Sequence, residues 1–140
     1  MAIEASSPEE LRALIQGRSD DEINAGLKES GVDSALDRVF EGMCAAFLPE
    51  KAGGQSAVIQ YDVKAPDSTH SYQLKIADGK CQVLKGAPES ARVTLTLTTP
   101  DFLRLVTGQL NGQTAFFQGK LKLAGDMMFA QTMQSWFKMI

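Results

Sequence analysis

Along the first third of the chain, apolar residues recur with a period near 3.6, and from Gln55 the period shortens to 2. Ser7-Pro8-Glu9-Glu10 reads as a capping box with proline at the first helical position. Leu11, Leu14 and Ile15 follow at helical spacing, up to Gly17. Ser19-Asp20-Asp21-Glu22 repeats the capping pattern and predicts a second helix, with Ile23 and Leu27 inward and Gly31 as its stop. Leu36, Val39, Phe40, Met43, Cys44 and Phe47 then form one continuous apolar stripe, the strongest helical signal in the chain, ended by Pro49 and Gly53-Gly54.

The alternating part predicts strands. Ala57, Ile59, Tyr61 and Val63 alternate with Gln60, Asp62 and Lys64; Tyr72, Leu74 and Ile76 alternate with Gln73 and Lys75. Asp78-Gly79 suits a two-residue hairpin turn into a strand over Lys80–Lys85. Val93, Leu95 and Leu97 oppose Thr94, Thr96 and Thr98, which completes an expected four-stranded antiparallel meander with one wet face. The polar stretch Asp67-Ser68-Thr69-His70-Ser71 between the first two strands reads as a loop.

Thr99-Pro100-Asp101 predicts the start of a helix carrying Phe102, Leu103, Leu105 and Val106. Asn111-Gly112 turns the chain into a short helical segment bearing Phe116-Phe117, and Lys120-Leu121-Lys122-Leu123 predicts a fifth strand. Asp126 caps a terminal helix with Met127, Met128, Phe129, Met133, Trp136 and Phe137. Four of the six methionines lie between Met127 and Met139. Methionine repacks around irregular apolar shapes, so this helix either fills a core or surrounds a guest. Gln118, set among these apolar groups, is a candidate for a ligand's polar head and reads by default as a surface residue.

A chain of 140 residues with 44% apolar content is one domain with one core. No apolar run approaches the roughly 20 residues of a membrane span, and the acidic start MAIEASSPEE is unlike a signal peptide, so the expectation is a soluble cytoplasmic protein. The net charge of −3 argues against nucleic acid as a partner. Residues 1–54 carry 5 basic and 11 acidic side chains, whereas residues 55–140 carry 9 and 6, a mild bias that suits an acidic partner or an anionic lipid surface. Cys44 and Cys81 show no metal-ligand spacing and read as reduced core thiols. His70 is the only histidine, so any serine relay would run through it, and its spacing from Ser68 and Ser71 reads as too short for one. No catalytic residues, metal or cofactor are expected.

The block Ala115-Phe116-Phe117-Gln118-Gly119-Lys120-Leu121-Lys122-Leu123-Ala124-Gly125-Asp126-Met127, preceded by Pro100-Asp101-Phe102 and Val106-Thr107-Gly108, closely resembles the sterol carrier protein 2 family. The likeness covers about residues 33–140 and leaves residues 1–32 as a helical N-terminal extension. It implies an α+β fold: a five-stranded, mostly antiparallel sheet with helices on one face, enclosing a hydrophobic tunnel. It implies a non-catalytic carrier of a sterol, fatty acid or fatty acyl-CoA, with transient contact to membrane surfaces. The alternative is a lipid- or quinone-presenting module for a partner enzyme, docking through residues 1–54. Carried over by position, the resemblance places Phe102, Leu105, Val106, Phe116, Phe117, Gln118, Leu121, Leu123, Met127, Met128, Met133, Trp136 and Phe137 along the tunnel. The chain ends Lys138-Met139-Ile140, where peroxisomal members of the family often carry a small-basic-Leu tripeptide.

Overall fold

The computed structural model describes residues 8–137, which places Ser7 and Lys138-Met139-Ile140 outside the described residues. Helix α1 spans Pro8–Ile15 and α2 spans Asp20–Ser30. The second capping box is complete: the Glu22 amide donates to the Ser19 hydroxyl, and the Ser19 amide donates to the Glu22 carboxylate, which holds that carboxyl below its usual range. Helix α3 (Val32–Ala45) follows with Leu36 and Phe40 fully buried, and a single turn, α4 (Pro49–Ala52), separates it from the sheet. The α3 stripe is therefore shorter than its apolar pattern, and Phe47 lies beyond the helix, bridged in antiparallel fashion to Phe137.

Strands β1 (Ala57–Lys64), β2 (Thr69–Ala77) and β3 (Lys80–Lys85) form an antiparallel meander. Asp78 and Gly79 both take positive φ, 55° and 73°, as a two-residue turn compatible with strand twist demands. Strand β4 (Val93–Thr98) does not continue the meander. It crosses to the other side of β1 and pairs with it in parallel, giving the order β3-β2-β1-β4-β5. This corrects the expected four-stranded meander: alternation shows which side chains share a face, not which strand is the neighbour. The fifth strand, β5, covers Lys122–Gly125, two residues later than its apolar pattern indicated, and pairs antiparallel with β4. Between β4 and β5 lie α5 (Thr99–Val106) and α6 (Gly112–Phe117); α7 (Met127–Met133) and a 3₁₀ turn over Gln134–Trp136 close the described chain.

One sheet face carries Ile59, Tyr61, Val63, Tyr72, Leu74, Ile76, Val93, Leu95 and Leu97, all buried. Phe40 from α3 and Phe102 from α5 stack over it, with ring centroids 4.9 Å apart, and Phe40 lies 4.3 Å from Tyr72. Burial lifts the Tyr61 hydroxyl far above the usual phenol range. On the opposite face Gln73 is fully buried yet satisfied. Its amide nitrogen donates to Gln60 Oε1 at 3.0 Å and to the Glu89 carbonyl at 2.7 Å, and its own oxygen accepts from the Glu89 amide. The segment leading into β4 is thereby pinned across the polar face.

Two expectations about reactive side chains are corrected here. Cys44 and Cys81 are joined in a disulfide, with Cα atoms 5.2 Å apart, linking the end of α3 to β3 instead of standing as separate thiols. His70 is not in a loop: it is the second residue of β2, paired with Val63.

Candidate functional site

The residues singled out by the family block divide into three groups by burial. Phe102, Leu121, Met133 and Trp136 are buried. Leu105, Val106, Leu123 and Phe137 are half-buried and pack against the core. Phe116, Phe117, Gln118, Met127 and Met128 are exposed, Phe117 at 84% and Met128 at 78%. Phe102, Leu105 and Val106 lie on α5, Leu121 just before β5 and Leu123 within it, and Met133, Trp136 and Phe137 at the end of α7 and beyond it.

Each element reaches this region for a local reason. The Thr98 hydroxyl accepts from the Asp101 amide and starts α5, so the cap is one residue earlier than expected, with Pro100 in the first turn. Asp101 itself lies inside the helix and pairs with Arg104 at 3.2 Å, and Arg104 also reaches Asp20 and the Arg18 carbonyl. That fastens α5 to the start of α2, so the first two helices brace the helix that carries Phe102 and Val106. Asn111 caps α6 by accepting from the amides of Gln113 and Thr114. A side chain at Gly112 would lie 3.2 Å from Gln134 and 3.8 Å from Leu105, which shows how closely α6 starts against α5 and the 3₁₀ turn.

The C-terminal wall depends on the Gly-Asp-Met part of the block. Gly125 has φ +101°, and a Cβ there would fall 2.5 Å from the Arg92 carbonyl oxygen, so only glycine lets β5 approach β4. Asp126 accepts from the Phe129 amide at 2.9 Å and pairs with Arg92 at 3.1 Å; the amide contact, with Arg92 adding to it, holds its carboxyl below the usual range. The Arg92 guanidinium also lies over the Phe129 ring, 4.1 Å from its centroid. Phe129 in turn meets Trp136 edge-on at 5.2 Å, and the Leu48 amide donates to the Trp136 carbonyl at 2.6 Å. Phe47 and Phe137 face each other at 5.8 Å beside this pair.

The family block leaves out three further residues of the half-buried kind. Val39 and Met43 of α3 and Leu110 before α6 are also half-buried against the core. For Val39 and Met43 the α3 stripe was the available signal, since both belong to its apolar pattern.

Two other features lie elsewhere. An open groove of about 420 Å³ runs along Ser56–Val58, Lys75–Ala77 and Glu89–Arg92, crossed by the Lys75–Glu89 ion pair, and includes none of the family-block residues. At the start of β2, Ser68 Oγ is 2.7 Å from His70 Nε2, and His70 Nδ1 is 2.8 Å from Asp33 Oδ1. The serine and histidine are thus within reach of each other, against expectation, in the order of an acyl-transfer relay. The contacts tie the first turn of α3 to the edge of the hairpin, with the Asp33 side chain 68% exposed to water. Among the described residues, no cluster of His, Cys, Asp or Glu could hold a metal ion, and no helix is long and apolar enough to cross a membrane.

Comparison with known proteins bears on this region directly. The model of the SCP-2 sterol transfer family matches residues 40–138. Sterol carrier protein 2 of Rattus norvegicus is 36% identical over 114 residues, which is 81% of this chain and 18% of the rat protein. The chain therefore spans under a fifth of that relative's length. Among solved structures, the stereoselective inverting sec-alkylsulfatase Pisa1 from Pseudomonas sp. superposes with a TM-score of 0.65 at 23% identity, covering 74% of this chain and 16% of the sulfatase. Palmitated SCP2L2 from Aedes aegypti superposes with a TM-score of 0.58 at 25% identity, covering 69% of this chain and 88% of the mosquito protein. With the family model matched over residues 40–138 and 36% identity to the rat protein over 81% of its own length, the chain belongs to the SCP-2 sterol transfer family.

Proposed function

We propose that the chain is a non-catalytic carrier that holds one long-chain lipid, with a fatty acyl group as the preferred ligand class and sterols as competitors. The lipid lies between α5, α6 and the α7 turn, against Phe102, Leu105, Val106, Leu121, Leu123, Met133, Trp136 and Phe137. Phe116, Phe117, Gln118, Met127 and Met128 stand outside that enclosure. The observation that carries the reading is that Leu105, Val106, Leu123 and Phe137 stay half-buried while Phe102, Phe129 and Trp136 are buried, all within the residues that the family model matches. The mosquito relative that carries palmitate supports the acyl class.

The energetics suit such a site. Each methylene removed from water is worth about 0.8 kcal/mol, so a sixteen-carbon chain gains on the order of 10 kcal/mol before ordering costs. Micromolar affinity therefore needs no buried charge in the wall. Selectivity is correspondingly loose, because one methylene more or less changes affinity by only about 1–3 kcal/mol. Displacement of a fluorescent fatty acid by palmitate tests the reading: saturable, one-to-one competition is expected, and its absence overturns it.

A second reading, presentation of lipid to a partner enzyme through residues 1–54, rests on the small share of its relatives that the chain covers. Residues 8–32 brace α5 there, through the Arg104–Asp20 pair and the buried Leu11, Ile15, Ile23 and Leu27. A partner enzyme should then turn over protein-bound lipid faster than the same lipid free in buffer.

A further inference from the structure

The Cys44–Cys81 bridge spans a sequence separation of 37 and joins the last turn of α3 to β3, an outer strand of the sheet. Both cysteines are half-buried, so the bridge lies at the border of the core and within reach of a small thiolate. Just past Cys44 the chain meets the C-terminal wall. The Phe47 amide donates to the Cys44 carbonyl at 3.1 Å, Phe47 faces Phe137, and the Leu48 amide donates to the Trp136 carbonyl. Asp33 to His70, and Asp37 to Tyr72 and Lys85, tie the β2–β3 hairpin to the first half of α3. Those ties hold whatever the state of the sulfurs. The other end of α3 has the disulfide as its covalent cross-link to the sheet.

We infer that this bridge is a thiol–disulfide exchange site for a dithiol, and that its state sets how tightly the chain holds lipid. One thiolate of the dithiol attacks a bridge sulfur, the S–S bond breaks, and the other cysteine leaves as thiolate. The second thiol of the dithiol then displaces the mixed disulfide. Two electrons and two protons pass to the protein; the dithiol ends as a disulfide, and Cys44 and Cys81 end as thiols. Once opened, the end of α3 loses its anchor on β3, and Phe47 and Leu48 no longer hold Phe137 and Trp136 to one position. Both of those residues belong to the proposed lipid enclosure, so the inference rests on the carrier reading. A wall with more freedom to lose on binding holds lipid less tightly. The coupling is reciprocal: lipid that orders the wall protects the bridge from reduction by the same factor.

The test is displacement of a fluorescent fatty acid by palmitate from the full chain, oxidised and after dithiothreitol, at a temperature where circular dichroism shows both forms folded. Reduction is expected to weaken palmitate binding about fivefold or more, and Cys44→Ser/Cys81→Ser should bind like the reduced protein with or without dithiothreitol. A second measurement needs no variant. Saturating palmitate should shift the reduction potential of the bridge about 20 mV more negative, the equivalent of a fivefold coupling for two electrons. Equal palmitate affinity of the two forms, the result a purely structural cross-link gives, overturns the coupling. So does a potential that palmitate leaves unmoved. A bridge that dithiothreitol opens only in unfolded protein overturns the exchange site. Displacement from neither form overturns the carrier reading, and the coupling falls with it.

Discussion

The Tyr72 hydroxyl donates a 2.6 Å hydrogen bond to Asp37, joining the middle of β2 to the exposed side of α3. Lys85 pairs with the same carboxylate at 3.2 Å. Burial raises the Asp37 carboxyl, but the Tyr72 and Lys85 contacts outweigh it and leave the group below its usual range. Burial and the neighbouring carboxylate push the Tyr72 phenol far upward, so it remains a donor at any physiological pH.

Tyr72→Phe should therefore lower stability at pH 7 by about 1–2 kcal/mol, or roughly 3–6 °C in Tm. A carboxyl held low in the folded state stabilises the fold above its unfolded value, near 4, and that contribution is lost as pH falls through the folded value. The gap between wild type and Tyr72→Phe should narrow when thermal unfolding is repeated at pH 5, 4 and 3. A gap independent of pH would show that the phenol acts only through packing.

Gly125→Ala should destabilise by about 2–4 kcal/mol, combining a left-handed backbone with a clash against strand β4. Denaturant unfolding measures this directly. Gly119→Ala, also at positive φ (76°) but with open space around its Cβ, should cost clearly less.

Oxidised protein should show no free thiol after unfolding and two after reduction, because Cys44 and Cys81 are bridged. A link across a sequence separation of 37 is worth about 4 kcal/mol in the chain-entropy model, so reduction should lower Tm by roughly 10–15 °C.

Within the proposed lipid enclosure, Val106→Asp should weaken palmitate binding by more than about tenfold, since a charge there would be left unpaired beside apolar wall. Val106→Phe, which keeps the surface apolar and fills the space, should weaken long chains more than short ones in the displacement assay. Trp136, 1% exposed, should change its emission as lipid enters.

Much of this arrangement was legible in local pattern. The hairpin at Asp78-Gly79, the Ser19–Glu22 box and the Asp126 cap each depend on residues a few positions apart, and all three formed as their chemistry requires. What was not legible is non-local. Val93–Leu97 alternates correctly whichever strand it joins, so its parallel pairing with β1 left no trace in the pattern. Cys44 and Cys81 meet only because α3 lies over β3, and His70 finds Asp33 by the same packing. Phe117 and Met128 look identical to core residues in a hydropathy pattern, yet they are exposed because no neighbouring element covers them among the described residues.

Native mass spectrometry of the chain after incubation with a slight excess of palmitate tests the carrier account most directly. The account predicts one dominant species, protein plus a single palmitate, which Val106→Asp abolishes while remaining folded. A spectrum of bare protein alone, at every palmitate concentration, would contradict it.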